Sequence, residues 1–142
     1  MLIKEFMTRS VITVSPEDSL KDVGKILKEK RISGVPVIDQ HRNVLGVITL
    51  TDMLKILDTI YRWREIEKKN PELKFSDMFE EEKEKAKVAD FMTKNVITLE
   101  EDQGIEHVME LMFTHKIHTI PIVKDGQLCG IIGKRDLICA CF

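Results

Sequence analysis

The sequence predicts an α+β fold: two tandem copies of one β-α-β-β-α unit, separated by a helical insertion. Two observations lead to it. The stretch Ser33–Asp52, SGVPVIDQHRNVLGVITLTD, reads as two β-branched strands, Val35–Ile38 and Val44–Thr49, around a polar turn from Asp39 to Asn43. It then runs into a helical pattern near Asp52. Further on lies a degraded copy, His118–Asp136, HTIPIVKDGQLCGIIGKRD, in which Pro121, Gly130 and Asp136 match Pro36, Gly46 and Asp52. The function of such a duplication is to be sought where its copies meet.

The first copy opens with Ile3-Lys4-Glu5-Phe6-Met7-Thr8, a helical turn with Ile3, Phe6 and Met7 on its apolar side. Val11-Ile12-Thr13-Val14 follows as a short strand. Ser15–Ser19 is a turn becoming a helix start, since proline suits the first helical turn and Glu17 and Asp18 oppose the positive end of the helix dipole. Leu20, Val23, Gly24 and Leu27 recur at helical spacing, and Lys30-Arg31 with Ser33-Gly34 close that helix. After the two strands, a longer helix carries the stripe Met53, Ile56, Leu57 and Ile60, extended by Tyr61, Trp63 and Ile66 to about Asn70, where Pro71 stops it. This stripe exceeds what one small repeat covers. The surplus packs on the other repeat or on a second subunit, or it completes the core of the monomer.

Residues 58–87 leave the repeat pattern. Asp77–Glu80 has capping-box spacing, and Glu80–Lys87 reads as a solvated helix of opposed charges. The second copy then repeats the first: Val88-Ala89-Asp90-Phe91-Met92-Thr93 mirrors Ile3–Thr8, and Val96-Ile97-Thr98-Leu99 mirrors Val11–Val14. Ile105, Val108, Leu111 and Met112 repeat the first helix stripe. The expected boundaries are therefore 1–57, 58–87 and 88–142, with the two repeats forming one globular pair.

Composition limits the function. Among 142 residues, 43% are hydrophobic and 32% charged, as in an ordinary soluble globular protein. A net charge of −2 supplies no basic field, so nucleic acid is not an expected partner, although Lys30, Arg31, Lys134 and Arg135 could form a small basic set. The opening MLIKEFMTRSVITV lacks a signal-peptide run and no stretch is long enough to span a bilayer, so a cytoplasmic protein without a membrane partner is expected. Cys129, Cys139 and Cys141 make no disulfide framework, and Cys141, aligned with apolar Leu57, reads as a buried, inert thiol. His107, His115 and His118 have no carboxylate or cysteine at metal-ligand spacing. Ser10, Ser15, Ser19, Ser33 and Ser76 fall in no nucleophile motif. No catalytic residue, metal site or enzymatic activity is expected.

Phe-Met-Thr-x-x-Val-Ile-Thr, then Gly34-Val35-Pro36-Val37, then Gly46-Val47-Ile48-Thr49-x-x-Asp52, resembles a CBS domain. Two in tandem resemble a CBS pair, or Bateman module, over nearly the whole chain outside the insertion. The resemblance implies two sheets facing each other around a pseudo-twofold axis. It also implies clefts between the repeats that bind adenosine-containing ligands such as AMP, ADP, ATP or S-adenosylmethionine, with no resident cofactor. Ribose and phosphate contacts then fall to Thr49, Thr51, Asp52, His118, Lys134, Arg135 and Asp136. The adenine wall falls to Thr13, Val14, Ser33, Gly34, Val35, Pro36, Thr98, Thr119, Ile120 and Pro121.

The residues give this chemistry a physical basis. Backbone amides at a helix start, with the Thr49 hydroxyl, form a phosphate seat. A carboxylate one turn along accepts hydrogen bonds from ribose hydroxyls. Gly34 lets a flat base approach the backbone. Thr49-x-x-Asp52 has equally the spacing of a capping box, which would only stabilise a helix. The second copy departs from the pattern: Gly133 stands for Thr49 and Thr119 for Gly34, while His118 is similar to a phosphate-contacting histidine of kinase γ subunits. Two functions remain open. One is a sensor that binds an adenine nucleotide and regulates an unknown separate protein, expected as a homodimer; the other is a ligand-independent interaction scaffold.

Overall fold

The computed structural model describes residues 1–70, 72 and 85–142, and only the backbone of Ile60. In chain order its elements are a 3-10 turn (Ile3–Glu5), α1 (Leu20–Lys30), β1 (Gly34–Ile38), β2 (Val44–Thr49), α2 (Leu50–Lys69), a second 3-10 turn (Val88–Asp90), β3 (Leu99–Glu100), α3 (Ile105–Phe113), β4 (Thr119–Lys124), β5 (Gln127–Gly133) and α4 (Lys134–Cys141). The Pro71 stop, the Asp77–Glu80 capping spacing and residues 80–84 of the expected Glu80–Lys87 helix lie outside the described residues, whereas Lys85 is helical, Ala86 packs against the first core and Lys87 bridges Ser19.

Turn chemistry closes each hairpin. The Asp39 carboxylate accepts the N–H groups of His41 (2.8 Å) and Asn43 (2.9 Å) and the Asn43 amide (2.9 Å), with Arg42 at φ 64°. This sets β1 antiparallel to β2, with Gly34 opposite Thr49. In the second repeat Asp125 (φ 53°) and Gly126 (φ 79°) make the tight turn between antiparallel β4 and β5, with Thr119 opposite Gly133. The β-branched run Val11–Val14 forms less sheet than expected. Only Val14 bridges β1, donating to the Pro36 carbonyl (3.1 Å) and accepting from the Ile38 N–H (3.0 Å). Its counterpart β3 is two residues long and parallel to β4. Strand propensity needs pairing to be realised, and here the paired stretch is one or two residues long.

Helix α1 starts later than the proline implies. Pro16 lies in a separate turn, and Ser19 is the N-cap, its hydroxyl accepting the Asp22 N–H at 3.1 Å. Helix α2 ends at Lys69, with Asn70 at the C-cap. Its expected stripe divides. Met53 and Ile56 pack against the first core, whereas Leu57 joins Leu50, Leu54 and Tyr61, each more than half exposed, on the outer side. Cys141 is exposed rather than buried, and so is Leu57, its counterpart; both sit on helix faces that the monomer leaves uncovered.

The two cores do not follow the repeat boundaries in sequence. Val88, fully buried, packs with Val14, Leu20, Val23, Val35, Val37 and Ile48 of the first repeat. Ile3 and Met7 pack with Val108, Met112, Ile120, Ile122 and Ile132 of the second. Each opening segment has crossed to the other repeat. Burying Ile3 and Val88 completely contributes roughly 1.5–3 kcal/mol each. Backbone bonds fix both crossings as a pair: Thr8 exchanges two bonds with Ile131 (both 2.9 Å), and Thr93 exchanges two with Val47 (2.8 and 3.0 Å). Gly46 and Gly130 make room for them. A Cβ on Gly46 would lie 2.7 Å from the Thr93 carbonyl oxygen, and one on Gly130 would lie 2.5 Å from Met7 Sδ. These mirrored contacts and the approach of β1 and β2 to β4 define the pseudo-twofold arrangement of the α+β pair.

Candidate functional site

Where β2 turns into α2, Thr49 and Asp52 form a reciprocal cap. The Asp52 N–H donates to Thr49 Oγ1 (3.3 Å), while the Thr49 N–H (2.9 Å) and hydroxyl (3.1 Å) donate to Asp52 Oδ2. The other carboxylate oxygen accepts the hydroxyl of Thr93, from the crossed segment, at 3.0 Å. Asp52 is only 8% exposed, and these bonds compensate its burial. The second repeat repeats the arrangement: the Gly133 N–H donates to Asp136 Oδ2 (2.8 Å) and the Thr8 hydroxyl to Asp136 Oδ1 (2.6 Å). Both carboxylates thus stand at a strand-to-helix junction and against the other repeat.

The capping reading and the inter-repeat position therefore hold together for Asp52. Thr8 and Thr93 escaped the sequence-based list of site residues. The signal was there, since both end the repeated Phe-Met-Thr, but nothing local says that this motif docks on the opposite repeat.

The remaining candidates are spread unevenly. Ser33 is exposed and its carbonyl accepts the Leu50 N–H (2.8 Å) at the same junction. The space before Gly34 is filled: a Cβ there would lie 2.9 Å from Thr119 Oγ1 and 2.9 Å from the Thr49 methyl. This glycine admits a threonine of the other repeat, and Thr119 is correspondingly buried. Val35, Pro36, Ile120 and Pro121 are fully buried in the cores and turn no side-chain surface outward. Thr13 and Val14 line a cleft of about 540 Å³ with Ser15, Pro16, Ile38 and Asp39, at the far end of β1 from Gly34. Thr98 is half-buried, and Thr51, Lys134 and Arg135 are exposed.

His118 stands apart. Its Nδ1 is buried without a hydrogen-bond partner. Burial, then the charges of Lys134 and Lys116, hold the imidazole below its usual range, so it is neutral near pH 7. No group of three or more His, Cys, Asp or Glu side chains among the described residues could hold a metal ion. Among the same residues, no helix is long and apolar enough to cross a membrane.

Gly133 leaves its helix half-capped, and a Cβ there would meet nothing closer than 3.8 Å. Its φ of −118° suits any residue. Gly133→Ser, which adds the capping hydroxyl without the methyl that Thr119, paired opposite residue 133, would crowd, is therefore expected to complete the box and raise stability by a few tenths of a kcal/mol, read as a higher midpoint in urea unfolding at an unchanged slope.

Comparison with known proteins finds the model of the CBS domain matching residues 3–59 and 88–142. An inosine-5'-monophosphate dehydrogenase of Methanocaldococcus jannaschii is 33% identical over 94% of this chain, which spans only 22% of that enzyme's length. The uncharacterized protein MJ1426 of the same organism is 31% identical over 97% of this chain and 89% of its own. Among solved structures, the CBS domain pair of protein MJ0100, in complex with 5'-methylthioadenosine and S-adenosyl-L-methionine, superposes with a TM-score of 0.75 at 26% identity, covering 99% of this chain and 94% of that one. CBSX2 in complex with AMP gives a TM-score of 0.75 at 25% identity, covering 98% and 94%.

Proposed function

The chain belongs to the CBS-domain family, and from that premise we propose that it is a cytoplasmic regulatory module. Its clefts take an adenosine-containing ligand, AMP, ADP, ATP or S-adenosylmethionine, and it acts in trans on a separate protein. It catalyses no reaction itself. The observation that carries this reading is the mirrored pair of carboxylates, Asp52 and Asp136, each at a helix start and each against a threonine of the other repeat. A ligand seated there touches both repeats and so favours one relative placement of them over another, as regulation requires. Structures of the same fold that hold S-adenosyl-L-methionine or AMP support the ligand class.

In the first cleft Asp52 receives the ribose hydroxyls, and Thr49 and Thr51 with the positive end of α2 receive phosphate. In the second, Asp136 takes ribose, with Lys134, Arg135 and His118 toward phosphate. Thr13, Val14, Ser33, Gly34, Thr98 and Thr119 border the base, joined by the backbone of Val35, Pro36, Ile120 and Pro121. The assembly is a homodimer, which covers the outer leucines of α2.

A second reading, an interaction scaffold without ligand, has its own observation. Both Asp52 oxygens already accept protein hydrogen bonds, and Thr119 already fills the space before Gly34. Native mass spectrometry of freshly purified protein separates the two. A co-purified adenosine compound is expected, and calorimetric titration with AMP, ATP and S-adenosylmethionine should then resolve one dominant site or two of distinct affinity. No bound mass and no heat with any of the three would leave the scaffold. Two identical, independent sites would show that Gly133 in place of threonine does not matter.

A further inference from the structure

The two repeats turn matching faces inward and unlike faces outward. Val23 and Val108 are fully buried at equivalent positions of α1 and α3, and Leu27 and Met112 are 5% and 4% exposed. On the outer side, Gly24 of α1 stands where α3 has Met109, and Lys28 where α3 has Phe113. The absent side chain at Gly24 opens a groove of about 510 Å³ between α1 and α2, lined by Gly24, Leu27, Lys28, Arg31, Leu50 and Met53. The second repeat carries a ridge in its place, with Met109 40% and Phe113 64% exposed.

Charge divides the same way. Along α1, Lys21, Lys25, Lys28 and Lys30 outnumber Asp22 and Glu29, and Arg31 caps the end. Along α3 the charged residues are Glu106 and Glu110, and they align with Lys21 and Lys25.

We propose that two copies of the chain pair head to tail, the Met109–Phe113 ridge of each copy seated in the Gly24 groove of the other. This rests on the reading of the chain as a homodimer and adds its orientation. A twofold axis makes the contact twice, so both grooves are filled. Phe113 enters between Lys28 and Arg31, where cations meet the face of its ring. Glu106 and Glu110 come to the lysine-rich side of α1, which favours this encounter and disfavours its alternative. Head-to-head pairing would set lysine against lysine, an empty groove on an empty groove and a ridge on a ridge. Leu54, Leu57 and Ile138, all more than half exposed, flank the seam and become covered with it.

Charge reversal at low salt tests the orientation by sedimentation equilibrium. The wild type is expected to be dimeric at micromolar concentration. Lys25→Glu/Lys28→Glu should dissociate at least about tenfold more readily, as should Glu106→Lys/Glu110→Lys, because each sets like charges together at both contacts. Combining all four should bring the dissociation constant back close to wild type. Phe113→Ala should weaken the dimer without changing the far-ultraviolet circular dichroism of the monomer. If neither pair weakens the dimer, or if the combined variant is weaker than both, the head-to-tail orientation is wrong while the dimer stands. A wild type that stays monomeric at every concentration overturns the pairing and the orientation together. Nucleotide titration of the same samples reports separately on the ligand reading.

Discussion

Asp52→Asn is expected to lower stability by about 1–2 kcal/mol and AMP affinity roughly tenfold to a hundredfold. The stability loss follows from the hydrogen bonds in place. An asparagine can keep its oxygen toward Thr93, but its NH₂ then faces the Thr49 N–H, donor against donor, and the reciprocal half of the capping box is lost while the backbone N–H of residue 52 still donates to Thr49 Oγ1. The affinity loss follows only if the carboxylate also takes ribose hydroxyls, through charge-assisted bonds that an amide cannot match. Thr93→Val is the matched control, because it removes the inter-repeat bond while leaving the cap intact. Urea unfolding and calorimetry on both variants separate the effects. If Asp52→Asn unfolds more easily yet binds AMP as tightly as wild type, Asp52 is a cap and a tie between repeats, and the ribose role fails.

Gly46→Ala should be the more damaging change to the fold, costing about 1–3 kcal/mol. Its methyl group would press on the Thr93 carbonyl oxygen at 2.7 Å, a backbone atom already accepting the Val47 N–H. That contact can be relieved only by moving the crossed segment off β2, which also withdraws Thr93 from Asp52. Gly130→Ala is expected to cost less. Its nearest obstacle is Met7 Sδ, part of a flexible side chain that can swing aside, and the Thr8 carbonyl oxygen is 3.2 Å away. Denaturant midpoints of the two variants give the comparison directly. Equal midpoints would mean that both crossings yield alike.

Local chemistry was legible and long-range docking was not. The hairpins follow from turn residues that act on their own neighbours: Asp39 on His41 and Asn43, and Asp125-Gly126 through positive φ. The Thr49–Asp52 box is equally local, three residues across. By contrast, the pattern of Ile3, Phe6 and Met7 marks an apolar face but cannot say which core receives it. For the same reason Gly46 and Gly130 look like strand irregularities until Thr93 and Thr8 are seen passing over them. The outer stripe of α2 was misjudged because Met53, Ile56, Leu57 and Ile60 satisfy helical spacing as one face. Only packing shows that Leu57 belongs with Leu50, Leu54 and Tyr61 instead. Gly34 also needed the opposite repeat, since Thr119 occupies the space that its missing side chain leaves.

The exchange of opening segments has a consequence for the chain as a covalent object. Neither half carries all the pieces of a closed interior: Ile3 and Met7 are encoded beside the first hairpin but seal the second, and Val88 does the reverse. Severed between the repeats, each fragment would keep a plug for the other and a hole in itself. A lone repeat could become watertight only by trading its leading segment with a second copy. The continuous chain makes that trade intramolecular, at an effective concentration set by the connection rather than by the amount of protein. Loss of either interior therefore releases the plug of the other, and the two halves are expected to melt as one cooperative unit.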